Sequence, residues 1–133
     1  MYPWGKDPDP NRANYGGTGI RSTSAVGCFP GGASRYGVEE MSGNVWEWTR
    51  SLWWKERGKE YGHPYDPRDG REDLKASDAV PRVVRGGSFL SGDYGKNVRC
   101  ATRVWILPYS RDIFLGFRVV VLPLSVDGST IDR

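Results

Sequence analysis

Apolar positions along this chain fall into short runs that hold neither a helical nor a strand period for long. The firmest are RVVRGGS at 82–88 and GFRVVVL at 116–122, β-branched runs bounded by glycine or proline. Such runs predict strands; segments 80–90 and 116–122 are therefore expected to pair in the core. GNVWEWT at 43–49 alternates, with Val45, Glu47 and Thr49 on one side and Trp46 and Trp48 on the other. TSAVGCF at 23–29 predicts a further short strand. Residues 1–19 carry prolines and glycines too densely for helix or strand and predict turns anchored by Tyr2 and Trp4.

Two stretches break the pattern. From Lys55 to Ser77 the chain is charged and proline-interrupted, with no apolar face, which predicts an excursion or mobile loop. Between the two firmest runs, VWIL at 104–107 and IFL at 113–115 are large and apolar but share no period. Their side chains must fill an irregular core or stand exposed. The eleven residues from Pro123 onward are polar and expected to fray. No internal repeat is visible.

Composition supports one irregular domain over residues 1–133. Eighteen glycines and nine prolines favour turns over a helix bundle, while six tryptophans and seven tyrosines supply large apolar bodies with polar tips. The formal charge of +3 is interspersed, which argues against nucleic acid as partner. Cys28 and Cys100 are far apart and form no metal-ligand pattern, so two buried thiols are expected rather than a disulfide. No leader or membrane-spanning run is read, so membrane insertion is not expected and no compartment is assigned.

Seven short motifs in register carry a resemblance: YPWG (2–5), NRAN (11–14), VG-x-FP (26–30), YGVEEMSGNVWEWT (36–49), RVVRGGSF (82–89), RCATR (99–103) and GFRVV (116–120). In this order they resemble formylglycine-generating-enzyme-like, or sulfatase-modifying-factor, domains. The resemblance implies an α+β, C-type lectin-like fold of small twisted antiparallel sheets, few helices and much ordered loop. YPWG lies mid-domain in that family, so the resemblance implies either a minimal version of the domain or one whose N-terminal portion was cut away or lies on another chain.

The oxidising enzymes of the family use a cysteine pair after RGGSF to bind copper, since soft thiolates hold Cu(I). Here the equivalent loop, 90–98 (LSGDYGKNV), contains no cysteine. A related branch holds iron with three histidines, and this chain has only His63, read as a solvated loop residue. The resemblance also implies a structural calcium site at Glu40, Gly43, Val45 and Glu47, whose oxygens suit that cation. The alternative for Glu47 is an ion pair with Arg85 or Arg118. A second family calcium site, near Asn14 and Tyr15, loses its aspartate to Thr18.

A further branch, the variable proteins of diversity-generating retroelements, varies a segment running from RGGS to GFR to change its ligand. Residues 88–118 resemble that layout. Aromatic, apolar and arginine side chains on a rigid scaffold are what binding surfaces use. The expected ligand-binding set is Ser91, Asp93, Tyr94, Thr102, Val104, Trp105, Ile106, Leu107, Tyr109, Ser110, Asp112, Ile113 and Phe114. Val104, Ile106, Tyr109 and Phe114 should then be exposed on one face. The sequence thus predicts a non-catalytic ligand-binding protein with a protein partner and no cofactor except structural calcium; the alternative is a family oxidase or degenerate relative.

Overall fold

The computed structural model describes residues 1–92 and 94–121. Its strands are β1 (Trp46–Leu52), β2 (Trp54–Glu56), β3 (Lys59–Glu60), β4 (Arg82–Arg85), β5 (Arg103–Ile106) and β6 (Leu115–Gly116). The helical segments among the described residues are single 3-10 turns at Gly16–Thr18, Pro30–Gly32 and Lys96–Val98. None is long and apolar enough to cross a membrane. β5, β4, β1 and β6 form one sheet in that order, and β2–β3 is a separate hairpin.

Register decides what each face offers. β1 and β4 are antiparallel, with Glu47 opposite Arg85 and Trp48 opposite Val84. β4 and β5 are also antiparallel, pairing Val84 with Val104 and Arg82 with Ile106. Because side chains alternate, Trp48, Val84, Val104 and Ile106 share one face, while Glu47, Arg85, Arg103 and Trp105 share the other. β6 joins β1 in parallel, with Trp46 beside Leu115.

Much of the interior is hydrogen-bonded loop. Tyr2, Ala13, Tyr15 and Val98 form a buried cluster, with Trp4 stacked on Tyr2 at 5.4 Å between ring centroids. Asn14 is fully buried and donates to the Ser22 carbonyl and the Ser24 hydroxyl. Asn44 returns the chain onto the same strip: its side chain accepts from Ser24 N–H, and its backbone N–H donates to the Asn14 carbonyl at 2.7 Å. Buried backbone groups away from sheet ladders require such partners.

Four expectations need correction. Residues 23–29 form no strand; the Ala25–Cys28 turn and the exposed Val26 occupy that stretch. Segments 80–90 and 116–122 do not pair with each other. β4 ends at Gly86 and Gly87, both at positive φ, and β6 stops at Gly116. Val119, Val120 and Val121 are exposed, Val121 at 89 %, and Leu122 lies outside the described residues, as do the eleven that follow. A β-branched run states a preference for extended backbone but does not supply a partner strand. Finally, Cys28 and Cys100 are unbonded as expected but exposed rather than buried.

The charged excursion is built around an arginine. Arg71 is buried and donates to both Asp69 carboxylate oxygens and to the Gly62 carbonyl. The rings of Tyr61 and Tyr65 lie 5.2 and 4.8 Å from its guanidinium carbon. Hydrogen bonds from Arg71 hold the Asp69 carboxyl below the ordinary carboxylate range. A paired, aromatic-flanked cation thus replaces the apolar face the sequence lacks.

Candidate functional site

The segment from Ser88 to Phe117 leaves β4, forms β5 on one edge of the sheet, and crosses to β6 on the other. It opens with a tight turn. Ser91 Oγ accepts from Ser88 N–H at 2.9 Å, and its carbonyl accepts from Gly16 N–H at 2.7 Å. Ser91 is buried, so this member of the expected set holds the turn. Thr102 is similarly occupied, donating to the Lys96 carbonyl at 3.1 Å. Asp93 lies outside the described residues, and Tyr94 protrudes at 82 % exposure.

β5 divides the expected set. Val104 and Ile106 are half-buried on the Trp48 face, whereas Trp105 turns to the opposite face and meets Trp54, 6.0 Å between ring centroids. Val104 and Ile106 thus share a face, while Trp105 of the expected set lies on the other, a consequence of strand alternation. Neighbouring Arg103 also belongs to the Trp105 side, with its guanidinium carbon 4.6 Å from the Trp53 ring centroid.

Residues 107–114 then turn back across the sheet. Ser110 N–H donates to the Leu107 carbonyl, and Arg111 Nη1 donates to the Pro108 and Ser110 carbonyls, both at 2.9 Å. The Phe114 carbonyl accepts from Trp46 N–H at 2.7 Å, fastening the end of the crossing to β1. Between this crossing and the sheet runs an open groove of about 570 Å³, lined by Trp48, Ser110, Arg111, Asp112, Ile113, Leu115, Gly116 and Phe117. Ile113 stands at its rim, 77 % exposed, and Tyr109 protrudes beside the turn. Phe114 faces a smaller cleft of about 140 Å³ with Trp46, Ser88, Leu90, Ser91 and Asn97. Leu107 is half-buried, and the expectation that Val104, Ile106, Tyr109 and Phe114 stand exposed is corrected: only Tyr109 is exposed, and the other three are half-buried.

Ser110, Asp112 and Ile113 are thus the members of the expected set that the groove brings together. Sequence reasoning left out Trp48 and Phe117. The alternation of Trp46 with Trp48 was the available signal for the first; Phe117 belongs to a motif whose apolar pattern implied core.

On the opposite face, Glu40, Gly43, Val45 and Glu47 do come together, around a recess of about 200 Å³. Arg118 enters it. Its guanidinium donates to both Glu47 carboxylate oxygens and to the Glu39 and Glu40 carbonyls. The Glu40 carboxylate instead accepts from Gly27 N–H. Hydrogen bonding to Glu47 raises Arg118 above the ordinary arginine value, against the opposing effect of burial. An arginine cation therefore takes up the Glu47 carboxylate, one of the oxygens that the resemblance offers to calcium. Arg118→Met is expected to cost about 2 kcal/mol, because a partly buried carboxylate loses its fork. Melting of the wild type with and without a calcium chelator checks the assignment: an unchanged midpoint is expected, and a marked fall would restore calcium.

Among the described residues no three His, Cys, Asp or Glu side chains converge on a metal position. His63 is exposed, and Cys28 and Cys100 are separate. These residues fit neither a cysteine pair for copper nor a histidine triad for iron, and no chemical step is assigned to such a group here.

A family model described as the Sulfatase-modifying factor enzyme 1-like domain matches residues 1–122. The chain is 37 % identical over 125 residues to the hercynine oxygenase of Mycobacterium tuberculosis, covering 89 % of this chain and 26 % of that protein. It is 31 % identical over 144 residues to the formylglycine-generating enzyme of Bos taurus, covering 96 % of this chain and 35 % of that protein. Among solved structures, Treponema denticola variable protein 1 superposes with a TM-score of 0.56 at 31 % identity, over 80 % of this chain and 34 % of that one. The α+β, C-type lectin-like class is that of this variable protein, and the sparse helices and curled sheet agree with it. The expectation of a protein without catalytic activity is overturned by relatives that are named as enzymes. The missing cysteine pair and histidine triad exclude only those donor sets from this chain, which spans about a quarter to a third of the length of these enzymes.

Proposed function

Because the chain belongs to the sulfatase-modifying factor enzyme 1-like family, we propose that it is the ligand-recognising part of a family enzyme, holding an extended peptide segment of a protein ligand in the groove between Trp48 and the 110–113 turn. The groove itself carries this reading. Its floor is aromatic and aliphatic, its rim offers Arg111 and Asp112, and its volume of about 570 Å³ suits a few side chains rather than a whole surface. An apolar anchor ringed by polar groups of both signs is how binding energy and orientation are supplied together.

Ligand preference is assigned to residues 88–118, where the variable-protein likeness also supports it. Arg111 is pinned to two carbonyls of its own turn, so the rim is ordered before the ligand arrives. Peptides selected against the protein from a display library should lose about tenfold or more in affinity when Ile113→Asp and Arg111→Ala are combined. They should be indifferent to Arg68→Ala in the distant excursion. Selected peptides that ignore the groove variant would end this reading.

A further inference from the structure

We propose that the sheet face opposite the groove carries a separate site for a small organic anion, a carboxylate with an apolar body. A cavity of about 380 Å³ opens there between β1, β4 and the RCATR turn. Four arginines line it, Arg50, Arg85, Arg99 and Arg118, against the single carboxylate of Glu47. Two of the four are already neutralised: Arg118 pairs with Glu47, and Arg50 lies 3.6 Å from Glu72. Arg85 and Arg99 have no carboxylate partner among the described residues.

Both are nevertheless held in place. Arg85 gives one terminal amine to the Cys100 carbonyl, and Arg99 gives Nε to the Lys96 carbonyl at 3.0 Å. A guanidinium has five N–H donors, so each anchored arginine keeps several for an incoming oxyanion. Two forks fixed by the backbone and lacking a counter-charge are suited to a carboxylate. Away from the charged groups, Met41, Gly86 and Cys100 line the same cavity, which gives an apolar body somewhere to lie and disfavours a fully hydrated inorganic ion.

The site is independent of the groove reading, and Cys100 reports on it, since this exposed thiol belongs to the cavity lining. The probes are benzoate, benzyl alcohol and inorganic phosphate, with iodoacetamide alkylation of Cys100 and Cys28 followed by mass spectrometry. Saturating benzoate is expected to slow alkylation of Cys100 by about tenfold and leave Cys28 unchanged, while benzyl alcohol and phosphate protect neither. Arg99→Gln should weaken benzoate binding about tenfold in calorimetry without altering the melting midpoint. Equal protection by benzyl alcohol or phosphate, an unprotected Cys100, or full benzoate affinity in Arg99→Gln would each overturn the proposal.

Discussion

Gly43→Ala is expected to destabilise the fold severely. Gly43 has φ of +82°, and a Cβ there would lie 2.3 Å from the Asn14 carbonyl oxygen and 2.9 Å from its carbon. The obstacle is backbone in a fully buried residue, and that same oxygen accepts from Asn44 N–H. Left-handed backbone alone costs a side chain about 1–2 kcal/mol. Prising apart the Asn14 and Asn44 strips brings the total to roughly 4 kcal/mol or more, a large share of the ~5–15 kcal/mol that stabilises a typical domain. Gly37→Ala is the internal control, because its φ is +74° but its Cβ direction is open. It should lose only the ~1–2 kcal/mol of the left-handed backbone in urea unfolding. Equal stability of the two variants would mean that the close approach at Gly43 does not exist.

Arg71→Met should have the second largest effect, and a more local one. Methionine matches much of the apolar stem but leaves the Gly62 carbonyl without its donor and the Asp69 carboxylate with only the backbone N–H of residue 71. Loss of about 3 kcal/mol is expected. Its signature is faster hydrogen exchange in β2 and β3, because the excursion rejoins the sheet through Leu52 N–H on the Arg71 carbonyl. Arg71→Lys should rescue little, since an ammonium cannot serve a bidentate carboxylate and a carbonyl from between two rings. Protection of the hairpin amides that survives Arg71→Met would show that the arginine is incidental to the loop's order.

These two positions show where the sequence could be read and where it could not. The alternation of GNVWEWT located β1 and its aromatic side, because a two-residue period has one structural meaning. The order of motifs disclosed the fold class. Partners were a different matter. Val119, Val120 and Val121 look like a core strand, yet what buries a strand is its neighbour, which local pattern does not contain. Arg71 was invisible for the opposite reason: it reads as one more charge in a charged loop, and only the convergence of Tyr61, Asp69 and Tyr65 makes it an interior residue. In the candidate site, the apolar residues without a period were rightly singled out, but the strand parity that sends Trp105 away from Val104 and Ile106 depends on β5 having formed.

The path of residues 107–114 sets a limit of another kind. They leave the sheet at β5 and re-enter it at β6, three strand spacings away, a gap of about 14 Å at about 4.8 Å per step. Eight residues fully extended reach about 27 Å, and the turn at Leu107–Ser110 uses up part of that slack. Substitutions along this span leave the crossing distance unchanged, whereas its length cannot shrink by much. Change here is confined to spelling: letters can be replaced, but few can be removed.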